Sequence, residues 1–161
     1  MKTTSKTMSI LLIVLMFLLS ACKANISRNQ NGSFDVETTI SQQELQEAIT
    51  VSIADPLVKE ITVSLQSGYV LVTGERQRLN DASKTGNLSF RLDIGVSSGQ
   101  PTASVSNAQL DGVPIEQNRV DHWNETIAKR IALLGQKYSK GTLKSVAITP
   151  SAVSMTWNVT R

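Results

Sequence analysis

Apolar and polar positions alternate most cleanly between Leu88 and Ser97. Leu88, Phe90, Leu92, Ile94 and Val96 fall on one side, and Ser89, Arg91, Asp93, Gly95 and Ser97 on the other. Five unbroken alternations predict a strand with one face on a core and the other in water. Shorter runs surround it. Ile61, Val63 and Leu65 alternate with Thr and Ser, and Ser67-Gly68 marks a tight turn. Residues 69–79 (YVLVTGERQRL) then continue as a second strand that turns polar at its far end. A polar loop is expected from Asn80 to Gly86. Beyond the long strand, Ser98-Gly99-Gln100-Pro101 turns the chain, and TASVSNAQL returns it with small side chains. Two further strands are expected at about Lys144 to Ile148 and, after Thr149-Pro150-Ser151, through Val153, Met155, Trp157 and Val159. Phe34, Val36 and Ile40 predict a short strand or extended arm at the front.

Two segments carry the helical period instead. Ser41-Gln42-Gln43-Glu44 is a capping box, in which Ser41 caps the amide of Glu44 and Glu44 reaches back. Leu45, Ala48, Ile49, Ser52 and Ile53 then share one helical face, and Pro56 closes the segment. Asp111-Gly112-Val113-Pro114 is turn chemistry. A long helix is expected from about Glu116 to Tyr138, its stripe formed by Val120, Trp123, Ile127, Ile131, Leu134 and Tyr138. Lys137 and Lys140 suit its carboxyl end, and Gly141 closes it. The order is helix, four strands, long helix, two strands. Short links imply an antiparallel meander with helices covering one face, an α+β domain.

The first residues change the picture. Lys2 and Lys6 precede ten consecutive apolar residues, Ile10 to Leu19. A spanning helix needs about 20 such residues, whereas the h-region of a secretory signal needs roughly 7–15. Leu19-Ser20-Ala21-Cys22 follows, with the only cysteine of the chain. This stretch resembles the lipobox of bacterial lipoproteins. The resemblance implies cleavage before Cys22 and a diacylglycerol on its sulfur, which anchors the protein to a membrane of the cell envelope. Lys23, in place of Asp, resembles the outer-membrane sorting signal of enteric bacteria. The expected organisation is a signal peptide at residues 1–21, a lipidated amino terminus and flexible tether at 22–33, and one α+β domain at 34–161. The polar run 23–33 (KANISRNQNGS) has no apolar period and would reach roughly 17–20 Å as a coil.

Charge narrows the partners. With Lys2 and Lys6 set aside, 14 of the 16 Lys and Arg remain against 13 Asp and Glu. That near balance, without a basic stripe carrying interleaved aromatics, gives no case for nucleic acid. Five Asn-X-Ser/Thr triplets, at Asn25, Asn31, Asn87, Asn124 and Asn158, read as polar surface in a bacterial setting. Catalytic chemistry finds no foothold. The one histidine, His122, has Asp121 only as its sequence neighbour, and adjacent helical residues do not face each other. No metal-ligand spacing, phosphate loop or nucleophile elbow is present, so a non-enzyme without cofactor or metal is expected.

The opening helix ISQQELQEAI, the meander, the LDGVPIEQNRVDHWNETIAKRI lead into the long helix and the closing VAITPSAVSMTWNV hairpin together resemble a family. It is the tubular lipid-binding, BPI-like superfamily, and the resemblance spans about residues 34–160. It implies a curved antiparallel β-meander packed on or wrapped around the long amphipathic helix, with a shorter N-terminal helix, and an acyl chain or lipid in the groove between. Leu92, Ile94, Trp123, Ile127, Ile131, Leu134, Met155 and Trp157 are the candidate groove residues, opposite the small Ala103, Ser104, Ser106 and Ala108. The alternative is an envelope adaptor acting through protein contacts, with those residues as plain core.

Overall fold

The structure, a computed structural model, describes residues 25–29, 32–136 and 141–160. The expected signal peptide and Cys22 lie outside the described residues, as do Lys137, Tyr138 and Lys140. The elements run β1 (Asn25–Arg28), β2 (Phe34–Ile40), α1 (Gln42–Ile53), β3 (Val58–Leu65), β4 (Val70–Arg78), β5 (Asp81–Ser97), β6 (Gln100–Leu110), β7 (Val113–Pro114), α2 (Gln117–Gln136), β8 (Thr142–Ile148) and β9 (Val153–Val159).

The strands form two antiparallel sheets, ordered β1-β2-β9-β8 and β3-β4-β5-β6-β7. This corrects the expected fold of a single meander wrapped around the long helix: the molecule is mostly β, and α2 is not enclosed. Its buried face is Val120, Trp123, Ile127, Ile131 and Gly135, while Asp121, His122, Glu125, Lys129, Arg130 and Leu133 are exposed. The split into two sheets has a physical cause. Twenty helical residues carry the chain about 30 Å, from the β7 end to the opposite end of the larger sheet. The free edge of β6 is by then covered by α2, whose Asn124 Oδ1 accepts the Val105 amide at 2.7 Å. The β8–β9 hairpin therefore pairs with β2, Phe34 opposite Val159 through Ile40 opposite Val153.

Local chemistry explains the elements. The Ser41–Glu44 capping box forms as expected, with Ser41 Oγ accepting the Glu44 amide at 3.2 Å and Glu44 Oε2 accepting the Ser41 amide at 2.9 Å. The hairpin turns at Ser98-Gly99 and Asp111-Gly112 hold both central residues at positive φ, as two-residue turns of this hand require. On β5, Leu88, Phe90, Leu92 and Ile94 are buried, whereas Val96 lies past the core and is 37% exposed. The expected polar loop is instead the start of β5. Arg78 pairs with Asp81 and Gln77 with Thr85, so Ala82, Ser83 and Lys84 bulge from the ladder. Part of the expected tether, Asn25–Arg28, is strand β1.

β8 passes the turn ends of both major hairpins. Gly68 donates its amide to the Ile148 carbonyl at 3.0 Å, and Leu143 donates to the Gly99 carbonyl at 2.9 Å. One end of the larger sheet is thereby capped, and one continuous core joins both sheets and both helices. The other end, where β4 turns into β5 and β6 into β7, has no such cap among the described residues.

Candidate functional site

The open end of the larger sheet holds a cavity of about 230 Å³ that continues into a wider cleft of about 680 Å³. Its floor is apolar: Val58, Leu88, Leu110, Ile115 and Trp123. Trp123 is 3% exposed and packs on Phe90 with ring centroids 5.5 Å apart. At the lip, Leu79 and Val113 are 78% and 65% exposed, one on each turn beside the opening.

The rim is charged because the inner face of β4 changes character. Val70, Val72, Gly74, Arg76 and Arg78 alternate on one side, so the strand that begins as core ends in two arginines, Arg76 half-buried and Arg78 exposed at the mouth. Arg76 Nε donates to Asp55 Oδ2 at 2.8 Å, and Arg119 from the first turns of α2 approaches the same oxygen at 3.6 Å. The Leu57 amide donates to Asp55 Oδ1 at 3.0 Å. Burial alone would raise the Asp55 carboxyl. The Arg76 and Leu57 hydrogen bonds and the two guanidinium charges outweigh it and hold the group below its ordinary value. Nearer solvent, Arg78 donates to Asp111 Oδ2 at 2.8 Å and Lys84 lies 3.0 Å from Asp81. Asp111 Oδ1 also accepts the Asn87 amide at 2.8 Å, which locks the β6–β7 turn against the start of β5.

The eight groove residues expected from sequence do gather, but as packed core. Leu92, Ile127, Ile131, Met155 and Trp157 are fully buried, Trp123 and Ile94 nearly so, and Leu134 is half-buried. A Cβ at Gly135 would come within 2.6 Å of Trp157 and 2.8 Å of the Met155 sulfur, so α2 lies directly on β9 with no room for a chain between them. Of the eight, only Trp123 lines the inner cavity, and none lines the wider cleft. Sequence reasoning missed Asp55, Arg76, Arg78, Leu79, Lys84 and Arg119. The available signal was the inner-face series Val70, Val72, Gly74, Arg76, Arg78, in which core periodicity continues into cations. His122 is exposed on the outer side of α2, and among the described residues no three of His, Cys, Asp and Glu are grouped to hold a metal. No described helix is long and apolar enough to cross a membrane. The sequence matches no protein-family model and no curated protein.

Proposed function

We propose that the protein is a lipoprotein of the bacterial envelope, anchored through Cys22, that binds an acyl chain or lipid at the open end of its larger sheet. The observation that carries this reading is the apolar floor of Leu88, Leu110, Ile115 and Trp123 beneath a charged rim. Ligand sites are concave, mostly apolar and equipped with a few placed polar groups, typically about 300–1,000 Å³ in volume. Here the apolar part is the smaller cavity of about 230 Å³, and the wider cleft of about 680 Å³ above it supplies the polar groups. The groove expected along α2 and β9 is replaced in this proposal by the end of the sheet.

The adaptor reading draws on the same lip, since Leu79 and Val113 offer exposed apolar contacts to a protein partner. Bromine quenching separates the two. The full-length chain, held in an amphipathic polymer, is titrated with ω-brominated dodecanoate while tryptophan emission is followed. Trp123 on the cavity wall should be quenched, and Leu110→Phe, which fills the cavity, should weaken the effect. A titration with no quenching would sink lipid binding and leave the adaptor reading in place.

A further inference from the structure

We propose that Arg119 and Arg76 form a head-group subsite, so that the ligand of the cleft is a single-chain amphiphile with an anionic carboxylate or phosphate head. The inference rests on the acyl-binding reading above and specifies its ligand class. Three observations carry it.

The first is a local imbalance of charge. The enclosed cavity is lined by two cations, Arg76 and Arg119, and one anion, Asp55. The outer cleft adds Arg78 and Lys84 against Asp81, Asp111 and Glu116. Arg78 and Lys84 are there paired with Asp111 and Asp81 and Glu116 stays in the outer cleft, so the lining balances as a whole and the excess of one positive charge is confined to the inner cavity, next to the apolar floor. The second observation is unused donor capacity. Each guanidinium carries five N–H donors. Arg76 gives one hydrogen bond, through Nε, and Arg119 reaches Asp55 only at 3.6 Å. Each Asp55 oxygen already accepts one hydrogen bond, Oδ1 from the Leu57 amide and Oδ2 from Arg76, and Arg119 stands outside hydrogen-bond distance of both. Among the described residues, the side chain of Arg119 has no other acceptor.

The third is placement. Arg76, Leu79, Leu110, Ile115 and Arg119 line both the cavity and the cleft, so the two arginines stand at the boundary between the enclosed apolar space and water. A planar guanidinium there matches a carboxylate or phosphate bidentately, and low local polarity strengthens the pair. The head pairs with Arg119 at the boundary, and the chain fills the cavity against Leu88, Leu110 and Trp123.

Binding of four dodecyl probes to the full-length chain in an amphipathic polymer tests this: dodecanoate, dodecyl phosphate, dodecanol and dodecyltrimethylammonium, each below its micellar concentration, with inorganic phosphate as a chainless competitor. The anionic probes should bind about ten-fold or more tightly than dodecanol. Comparison of dodecanoate with dodecyl phosphate identifies the preferred head. Arg119→Gln should abolish the preference, bringing both anionic probes to within about two-fold of dodecanol measured on the same variant, and Arg119→Lys should restore part of it. The ligand series on the native protein is decisive even if a variant does not fold. Equal binding of dodecanoate and dodecanol would overturn the head-group subsite and leave the acyl-binding cleft intact. Displacement by inorganic phosphate alone would show a free-anion site and overturn the amphiphile. Failure of every probe would remove the acyl-binding reading itself.

Discussion

Asp35 stands where the amino-terminal strand, the last strand and β8 meet. Its Oδ1 accepts from Asn158 at 2.9 Å and from Asn29 at 3.0 Å, and its Oδ2 accepts from Lys144 at 2.7 Å. Ser33 Oγ accepts from the same two amides, each at 3.1 Å. The Asn158 bond, then those from Lys144 and Asn29, hold the Asp35 carboxyl down at about 2 against an ordinary 3.8. A carboxylate depressed by folding stabilises above its unfolded value and loses that contribution as pH falls through its folded value. Stability from Asp35 is therefore complete above about pH 4 and disappears between there and pH 2. The urea midpoint of the native protein should fall across that window, and Asp35→Asn should remove this share of the slope. An unchanged slope in the variant would show that the network contributes nothing. At this scale the sequence was legible where a residue obeys a local rule. Ser41 and Glu44 form the cap, and Ile127 and Ile131 are buried as their spacing demands. Asp35 and Arg76 were not legible, because a charge at a strand end looks solvent-exposed until its distant partner is known.

The helices flank the larger sheet on both sides, α1 along its edge strand β3 and α2 along the part of β6 that β7 leaves unpaired. Gln46 on α1 accepts the Val63 amide of β3 through Oε1 at 3.2 Å, and Asn124 on α2 accepts the Val105 amide of β6 through Oδ1 at 2.7 Å. α1 also packs on α2, with the Thr126 hydroxyl donating to the Ser52 carbonyl at 3.2 Å. An open strand edge is a template for pairing with another chain, and these side-chain amides occupy it. Asn124→Leu leaves the Val105 amide without its partner and should cost about 1–3 kcal/mol. The check is a denaturation midpoint read together with hydrogen exchange. Exchange at Val105 should accelerate while the buried centre of β5 stays protected, and unchanged exchange would mean that the edge is sealed by packing alone. The strands themselves were largely legible from period-two alternation. Their partners were not. β2 and β9 are separated by most of the chain, and no local pattern states that Phe34 will lie opposite Val159. The polar segment Asp81 to Gly86 misled for a related reason. It is drawn into β5 by pairing with β4, which overrides its weak strand preference.

At the scale of the whole molecule, the order of strands sets a polarity. β8 caps one end of the larger sheet, and β1 is the edge strand farthest from β8 in its own sheet, three strand spacings or about 14 Å away. The cleft lies at the opposite end, beyond the nine residues of β4, or about 30 Å of strand. Only residues 23 and 24 separate Cys22 from β1, and three residue steps of extended chain cover at most about 11 Å. If Cys22 carries the lipid, the domain is held by its β1 side close to the bilayer, and the expected outcome is a cleft that opens away from it. Val113→Cys, at the exposed lip, makes the arrangement measurable. Cys22 is the only cysteine, so in a lipidated wild-type protein no thiol remains for maleimide, and labelling of the variant is confined to position 113. The wild type reconstituted from membranes should stay unlabelled. The variant should label readily with an environment-sensitive fluorophore, and brominated lipids in the anchoring bilayer should leave its emission unchanged. A labelled wild type would refute the thioether at Cys22. Strong quenching at position 113 would instead place the cleft against its own membrane, and ligand exchange would then occur with that bilayer rather than with the space beyond it.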